Sequence, residues 1–152
     1  MKYIISESQY KKIMSERFKV SKDERTIISD TENFLQIVPL TEAASCKYGA
    51  GTKWCVTSKE NNKFSWYKEK GWDVSMVMIK NPDIQNIFET TKFALNLYNE
   101  YIEVHNDQNK YFDLAKVSEE AGVLDEVKSI VEDYINFMKT NRNVEIVKNT
   151  VV

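Results

Sequence analysis

The runs Lys92-Phe-Ala-Leu-Asn-Leu-Tyr98 and Tyr101-Ile-Glu-Val-His105 are separated by only Asn99-Glu100. Two strands joined by two residues can pair only antiparallel, because a parallel return needs a crossover of about a dozen residues. Alternation places Phe93, Leu95 and Leu97 on one face of that hairpin. Arg25-Thr-Ile-Ile-Ser29 and Phe34-Leu-Gln-Ile-Val-Pro39 flank the turn formers Asp30-Thr-Glu-Asn33 and predict a second hairpin. A helix capped at Ser21 and answered by Glu24 is the competing reading of the first run. Asp73-Val-Ser-Met-Val-Met-Ile79 is the most apolar strand, expected at the centre of the sheet and ended by an Asn81-Pro-Asp83 turn.

From Leu124, the residues Val127, Val131, Tyr134 and Met138 recur at helical period, supported by Ile130 and Ile135. They predict a long helix covering one sheet face. A shorter helix starts at Asp113 and is broken by Gly122. Near the start, Ser6 and Gln9 form a capping box for a helix over 7–18, with Tyr10, Ile13, Met14 and Phe18 on one face. The expected organisation is an N-terminal amphipathic helix within 1–20, an α+β domain over 21–140 and a tail over 141–152. The tail alternates weakly and is read either as an edge strand or as a mobile end. The fold class is α+β: a single domain with a mainly antiparallel sheet of about four to six strands under the long C-terminal helix.

The chain has 152 residues, enough for one domain to hold itself together without a metal or a disulfide. Its net charge of -2 gives no general attraction for phosphate backbones, so bulk nucleic-acid binding is not expected. No apolar run approaches the roughly 20 residues of a membrane helix, and the opening Met1-Lys-Tyr-Ile-Ile lacks the apolar core of a secretory signal. Cys46 and Cys55 are therefore read as free thiols in a reducing compartment. With His105 as the single histidine, no metal site and no cofactor are expected.

Candidate chemistry gathers between Thr41 and Thr57. Thr41 caps a short helix over Glu42 to Tyr48 that stops at Gly49, and Gly49-Ala-Gly51 turns into an expected strand from Thr52 to Thr57. That strand would put Lys53 and Cys55 on one face and Thr52, Trp54 and Val56 on the other. Cys55 is the candidate nucleophile, since a thiolate beside Lys53 would be activated, although buried cysteine is more often simply a small core residue. Gly49-Ala-Gly-Thr-Lys53 has the composition of a phosphate loop, but a Walker loop enters a helix and this one enters a strand. Both glycines are equally explained by positive φ or close backbone approach. A second short helix, capped at Asn61 or Asn62 and closed by Gly71, carries Phe64 and Tyr67 on one side and leaves Trp66 exposed. Together with Trp54 and Trp72 these rings could form a stacking platform or a protein-binding surface. Tyr48, Gly49, Gly51, Thr52, Lys53, Trp54, Trp66 and Tyr67 are thus the ligand-binding candidates. Glu89, Glu100, Glu103 and Asp107 surround the hairpin without a spacing that marks an acid/base pair.

Tyr48-Gly-Ala-Gly-Thr-Lys-Trp-Cys55, followed by Phe64, Tyr67 and the later strands, resembles a family of uncharacterised tailed-bacteriophage and prophage proteins with the signature Y-G-x-G-T-K-W-C-T. The similar layout runs from about Phe34 to Phe112. Val56 departs from it, standing where the pattern has threonine. Met1-Lys-Tyr-Ile-Ile-Ser-Glu-Ser-Gln9 also resembles a leader found on otherwise unrelated phage proteins. The resemblance implies a phage accessory protein in the host bacterial cytoplasm or the virion. Its expected role is binding a host or virion protein or a small ligand, modulating a host factor or a host defence. A small enzyme using the Gly-Thr-Lys-Trp-Cys corner for nucleotide or acyl chemistry is the alternative.

Overall fold

The computed structural model describes residues 24–152 except Lys59, Asn143, Ile146 and Thr150. The helix expected over 7–18 lies outside the described residues. Strands β1 (Arg25–Asp30), β2 (Phe34–Pro39), β3 (Ser75–Ile79), β4 (Lys92–Tyr98) and β5 (Tyr101–Asn106) form one antiparallel sheet in the order β1-β2-β3-β4-β5. Both hairpins stand where the turn formers place them, with a bulge between Ile27 and Ser29, and β3 is central. The helices are α1 (Glu42–Tyr48), α2 (Phe64–Glu69), α3 (Pro82–Phe88), α4 (Leu114–Glu120) and α5 (Leu124–Arg142).

Alternation sorts the sheet into two faces. Phe34, Val77, Phe93, Leu95, Leu97 and Val104 meet Val127, Ile130, Val131, Tyr134 and Met138 of α5 in the main core. Polar groups key this helix to the sheet. The buried Gln36 amide donates to the Ile130 carbonyl (3.0 Å) and to Ser29 Oγ (2.9 Å), and its oxygen accepts from Ser75 Oγ (2.7 Å). The fully buried Tyr134 hydroxyl donates to the Asp73 carbonyl (2.6 Å) and accepts from the Leu97 amide (2.8 Å). Every member of this network has a partner, the condition under which buried polar groups position a helix without destabilising it. At the end of α5, Arg142 grips the buried Asp73 carboxylate through Nε (2.6 Å) and Nη2 (2.8 Å). Burial alone would raise the Asp73 pKa, but the Arg142 hydrogen bond and nearby Lys68 hold it below the ordinary carboxylate value.

The opposite face carries a smaller core, in which Ile37, Met76 and Ala94 receive Trp54 and Val56. No strand forms over Thr52 to Thr57, contrary to the sequence expectation. The segment lies over the sheet face, and its backbone groups find partners elsewhere. The Lys53 amide donates to the Asp107 carbonyl (2.8 Å), and the Thr57 amide closes a turn on the Trp54 carbonyl (3.1 Å). The alternation that suggested a strand is real as burial, with Trp54 and Val56 in and Lys53 out, and comes from a loop pressed onto a sheet.

A second correction concerns Asn81-Pro-Asp83, which opens helix α3 instead of a simple turn. Asn81 accepts from the Asp83 amide (2.9 Å), and Pro82 occupies the first helical turn, where its missing N–H costs nothing. In the tail, Val144, Val147, Val151 and Val152 pack against the main core, and Lys148 makes one parallel bridge to Tyr101. No described helix is long and apolar enough to cross a membrane.

Candidate functional site: an aromatic cleft beside the glycine turn

The turn from Gly49 to Lys53 is closed by its own backbone. The amides of Gly49, Ala50 and Thr52 donate to the carbonyls of Ser45, Lys47 and Gly49, and Thr52 Oγ1 adds a second bond to Gly49 O (2.6 Å). The carbonyls of Tyr48 and Ala50 both accept from the Lys92 ammonium at 2.9 Å. A phosphate loop presents free amides to an anion, whereas this turn presents carbonyls to a cation. Burial pulls the Lys92 pKa below its usual value, with Asp107 opposing the shift.

The two glycines serve different needs. Gly49 has ordinary φ, but a Cβ there would stand 2.0 Å from Thr57 Cγ2. Gly51 adopts φ +84° with open space around it. The turn is anchored by Trp54, whose indole N–H donates to the Asn106 carbonyl (2.7 Å) at the end of β5.

Beyond this anchor the sheet face is only partly covered, and a cleft of about 340 Å³ opens over β4 and β5. Ala94, Asn96 and Tyr98 of β4 and Glu103 and His105 of β5 line its floor, being the residues that alternation turns away from α5. Its walls are Trp54, Cys55 and Val56, then Trp66 and Tyr67 of α2, Trp72, and Tyr111. The ring centroids of Trp66 and Trp72 are 5.3 Å apart at 84°, those of Tyr67 and Trp72 5.5 Å apart at 86°, and those of Trp72 and Tyr98 4.8 Å apart at 51°. The first two contacts are edge-to-face and the third is tilted, and together they pack the rings into one aromatic wall.

Polar groups are few. Asn96 sits directly across the ladder from Glu103, and Ala94 across from His105. Asn96 is 8% exposed, and its Oδ1 is buried without a hydrogen-bond partner among the described residues. Tyr111 donates to Glu103 and lies against His105 with ring centroids 4.4 Å apart; that hydrogen bond raises the Tyr111 pKa. The His105 Nε2 is 3.8 Å from Glu103, but burial outweighs the carboxylate and lowers the His105 pKa, so the imidazole is neutral near pH 7. The Cys55 thiol donates to the Tyr67 hydroxyl (3.3 Å), and Tyr67 has its pKa raised, first by burial and then by Cys55.

Of the sequence candidates, Trp54, Cys55, Trp66 and Tyr67 come together in the cleft. Tyr48, Gly49, Gly51, Thr52 and Lys53 do not line it. Tyr48 holds Arg25 through its hydroxyl and ring, Thr52 bonds within the turn, and the Lys53 side chain is exposed. Trp66 is 48% exposed. The sequence reading overlooked Asn96, Tyr98 and Tyr111, although period-2 alternation already set Asn96 and Tyr98 on the face opposite Phe93, Leu95 and Leu97. Cys46 and Cys55 are free, and among the described residues no group of three or more His, Cys, Asp or Glu side chains could hold a metal. Comparison with family models, with curated proteins and with solved structures returned no match.

Proposed function

We propose that this chain is a binding module that receives part of a partner protein in the aromatic cleft, acting as a tailed-phage accessory protein that modulates a host factor or host defence or rides in the virion. The observation that carries the binding reading is a cleft walled by mutually packed aromatic rings over a floor that carries Asn96, Glu103 and His105. Its volume of about 340 Å³ falls within the range of about 300–1,000 Å³ typical of ligand pockets. Exposed Trp66, Tyr98 and Tyr111 extend it into an aromatic surface of the kind that anchors protein interfaces. The phage origin rests on the Tyr48 to Cys55 signature and the opening segment alone.

The enzyme reading has one observation in its favour: Cys55, Glu103 and His105 share the cleft. Against it, the thiol is bonded to Tyr67 and not to the imidazole, and a Cys nucleophile needs a base within hydrogen-bond reach. Affinity capture from infected cells tests the two. Binding predicts a partner retained by the wild-type chain and lost by a Trp66→Ala/Tyr98→Ala variant of unchanged fold. A partner held equally by both would refute the cleft reading. Turnover of a small molecule by the purified chain, abolished by Cys55→Ser, would establish the enzyme.

A further inference from the structure

We infer that the group entering the cleft is a guanidinium, the side chain of an arginine displayed by the partner protein. This rests on the cleft being the binding site and specifies what it takes. Charge is the first argument. Among the described residues, Glu103 is the only acidic side chain lining the cleft and no lysine or arginine lines it, while burial lowers the His105 pKa and keeps the imidazole neutral. Such a cleft repels phosphates and carboxylates and attracts a cation.

Shape and hydrogen bonding choose among cations. The walls are aromatic rings, whose faces favour cations by quadrupole attraction, and a flat guanidinium stacks on such a face while keeping its N–H donors in its own plane. Those donors meet the Glu103 carboxylate on the cleft floor. A quaternary ammonium has no N–H to offer it, and a lysine ammonium is more strongly hydrated and cannot stack. The protein source follows from the mouth. Trp66 is 48%, Tyr98 43% and Tyr111 70% exposed, a rim of apolar surface wider than one small cation covers. A polypeptide carrying the arginine would cover it.

The test is a titration of the full chain, read by tryptophan fluorescence and by the indole and His105 signals in NMR. The probes are Nα-acetyl-arginine methylamide, its citrulline counterpart of the same shape without charge, its lysine counterpart, agmatine, an Ac-Gly-Arg-Gly amide and adenosine. The expected result is arginine binding at least about tenfold tighter than citrulline, with lysine between, since a hydrogen bond to a charged group is typically worth that factor or more. Glu103→Gln should reduce arginine binding to the citrulline level, with its spectrum and melting confirming the fold. Trp66→Ala, at a half-exposed position, should weaken binding independently of Glu103. The glycine-flanked peptide should bind more tightly than agmatine; the reverse order would overturn a protein source. Equal binding of arginine and citrulline, or a Glu103→Gln chain that binds arginine normally, would overturn the guanidinium assignment. Adenosine binding without arginine binding would overturn it while leaving the cleft as the site. Failure of every probe to move any cleft signal would overturn both.

Discussion

Replacing Gly49 with alanine should destabilise the protein far more than replacing Gly51, although only Gly51 has a left-handed backbone. A Cβ on Gly49 meets Thr57 Cγ2 at 2.0 Å, about 1.4 Å inside the ordinary contact limit of 3.4 Å, and also lies 2.9 Å from the Ser45 carbonyl oxygen. The threonine cannot simply rotate its methyl aside. Its Oγ1 is held by Thr52 Oγ1 and by the Trp54 carbonyl, each at 2.9 Å, and turning χ1 breaks both bonds. Two hydrogen bonds at about 1 kcal/mol each and an overpacking cost of about 1–3 kcal/mol suggest a loss of about 3–5 kcal/mol. For a chain of this size that corresponds to a fall in Tm of about 6–20 °C. Gly51→Ala meets nothing within 4 Å and loses only the left-handed backbone preference, about 1–2 kcal/mol. Thermal melting of the two variants beside Gly49→Ala/Thr57→Ser is the assay. The serine keeps Oγ1 and removes the colliding methyl, so it should recover part of the loss. Equal losses at Gly49 and Gly51, or no recovery with serine, would refute the packing argument.

Trp54→Ala should cost about 3–5 kcal/mol by denaturant melting, since it empties the smaller core and removes the bond to Asn106; a loss below about 1 kcal/mol would mean the turn is not anchored there. Arg142→Ala leaves the Asp73 carboxylate, 6% exposed, with only Lys68 at 3.5 Å, and should cost about 3 kcal/mol at neutral pH. Adding Asp73→Asn should recover part of that, and a purely additive double variant would contradict the pairing. The His105 NMR signal should titrate with a midpoint below the ordinary 6.5 because burial disfavours the imidazolium. The folded state then binds fewer protons than the unfolded chain between that midpoint and about 6.5, so this contribution to stability is present above about 6.5 and is lost as pH falls through the folded value. A midpoint above 6.5 would show that Glu103 dominates instead. Cys55→Ser should melt near wild type, because the hydroxyl can still donate to Tyr67, and should keep its partner.

The sheet was legible because its signals are local: two-residue and four-residue turns fix the hairpins, and alternation at Phe93, Leu95 and Leu97 selects the face that α5 covers. The long helix was legible from Val127 to Met138 for the same reason. Thr52 to Thr57 was misread because burial alternates along any extended segment laid on an apolar surface, whether or not a neighbouring strand pairs with it. Asn81-Pro-Asp83 carried the marks of a helix start, yet those residue types also make turns, and only the packing of Ile84 and Phe88 into the core decides between them. The cleft depends on where coverage stops. Trp54 and Val56 seat over Ile37, Met76 and Ala94, while the Asn96–Glu103 pair lies beyond them, a boundary set by long-range docking of the glycine turn onto Asn106 and Asp107.

The chain has three tryptophans, and their indole N–H signals report directly on whether the proposed partner enters this cleft. With the partner captured from infected cells added to the 15N-labelled chain, the account predicts that the Trp66 and Trp72 indoles and the Asn96 side-chain amide shift most, while the backbone amides of Gly49 to Lys53 move little. Shifts concentrated at Gly49 to Lys53, with Trp66 and Trp72 unmoved, would contradict it.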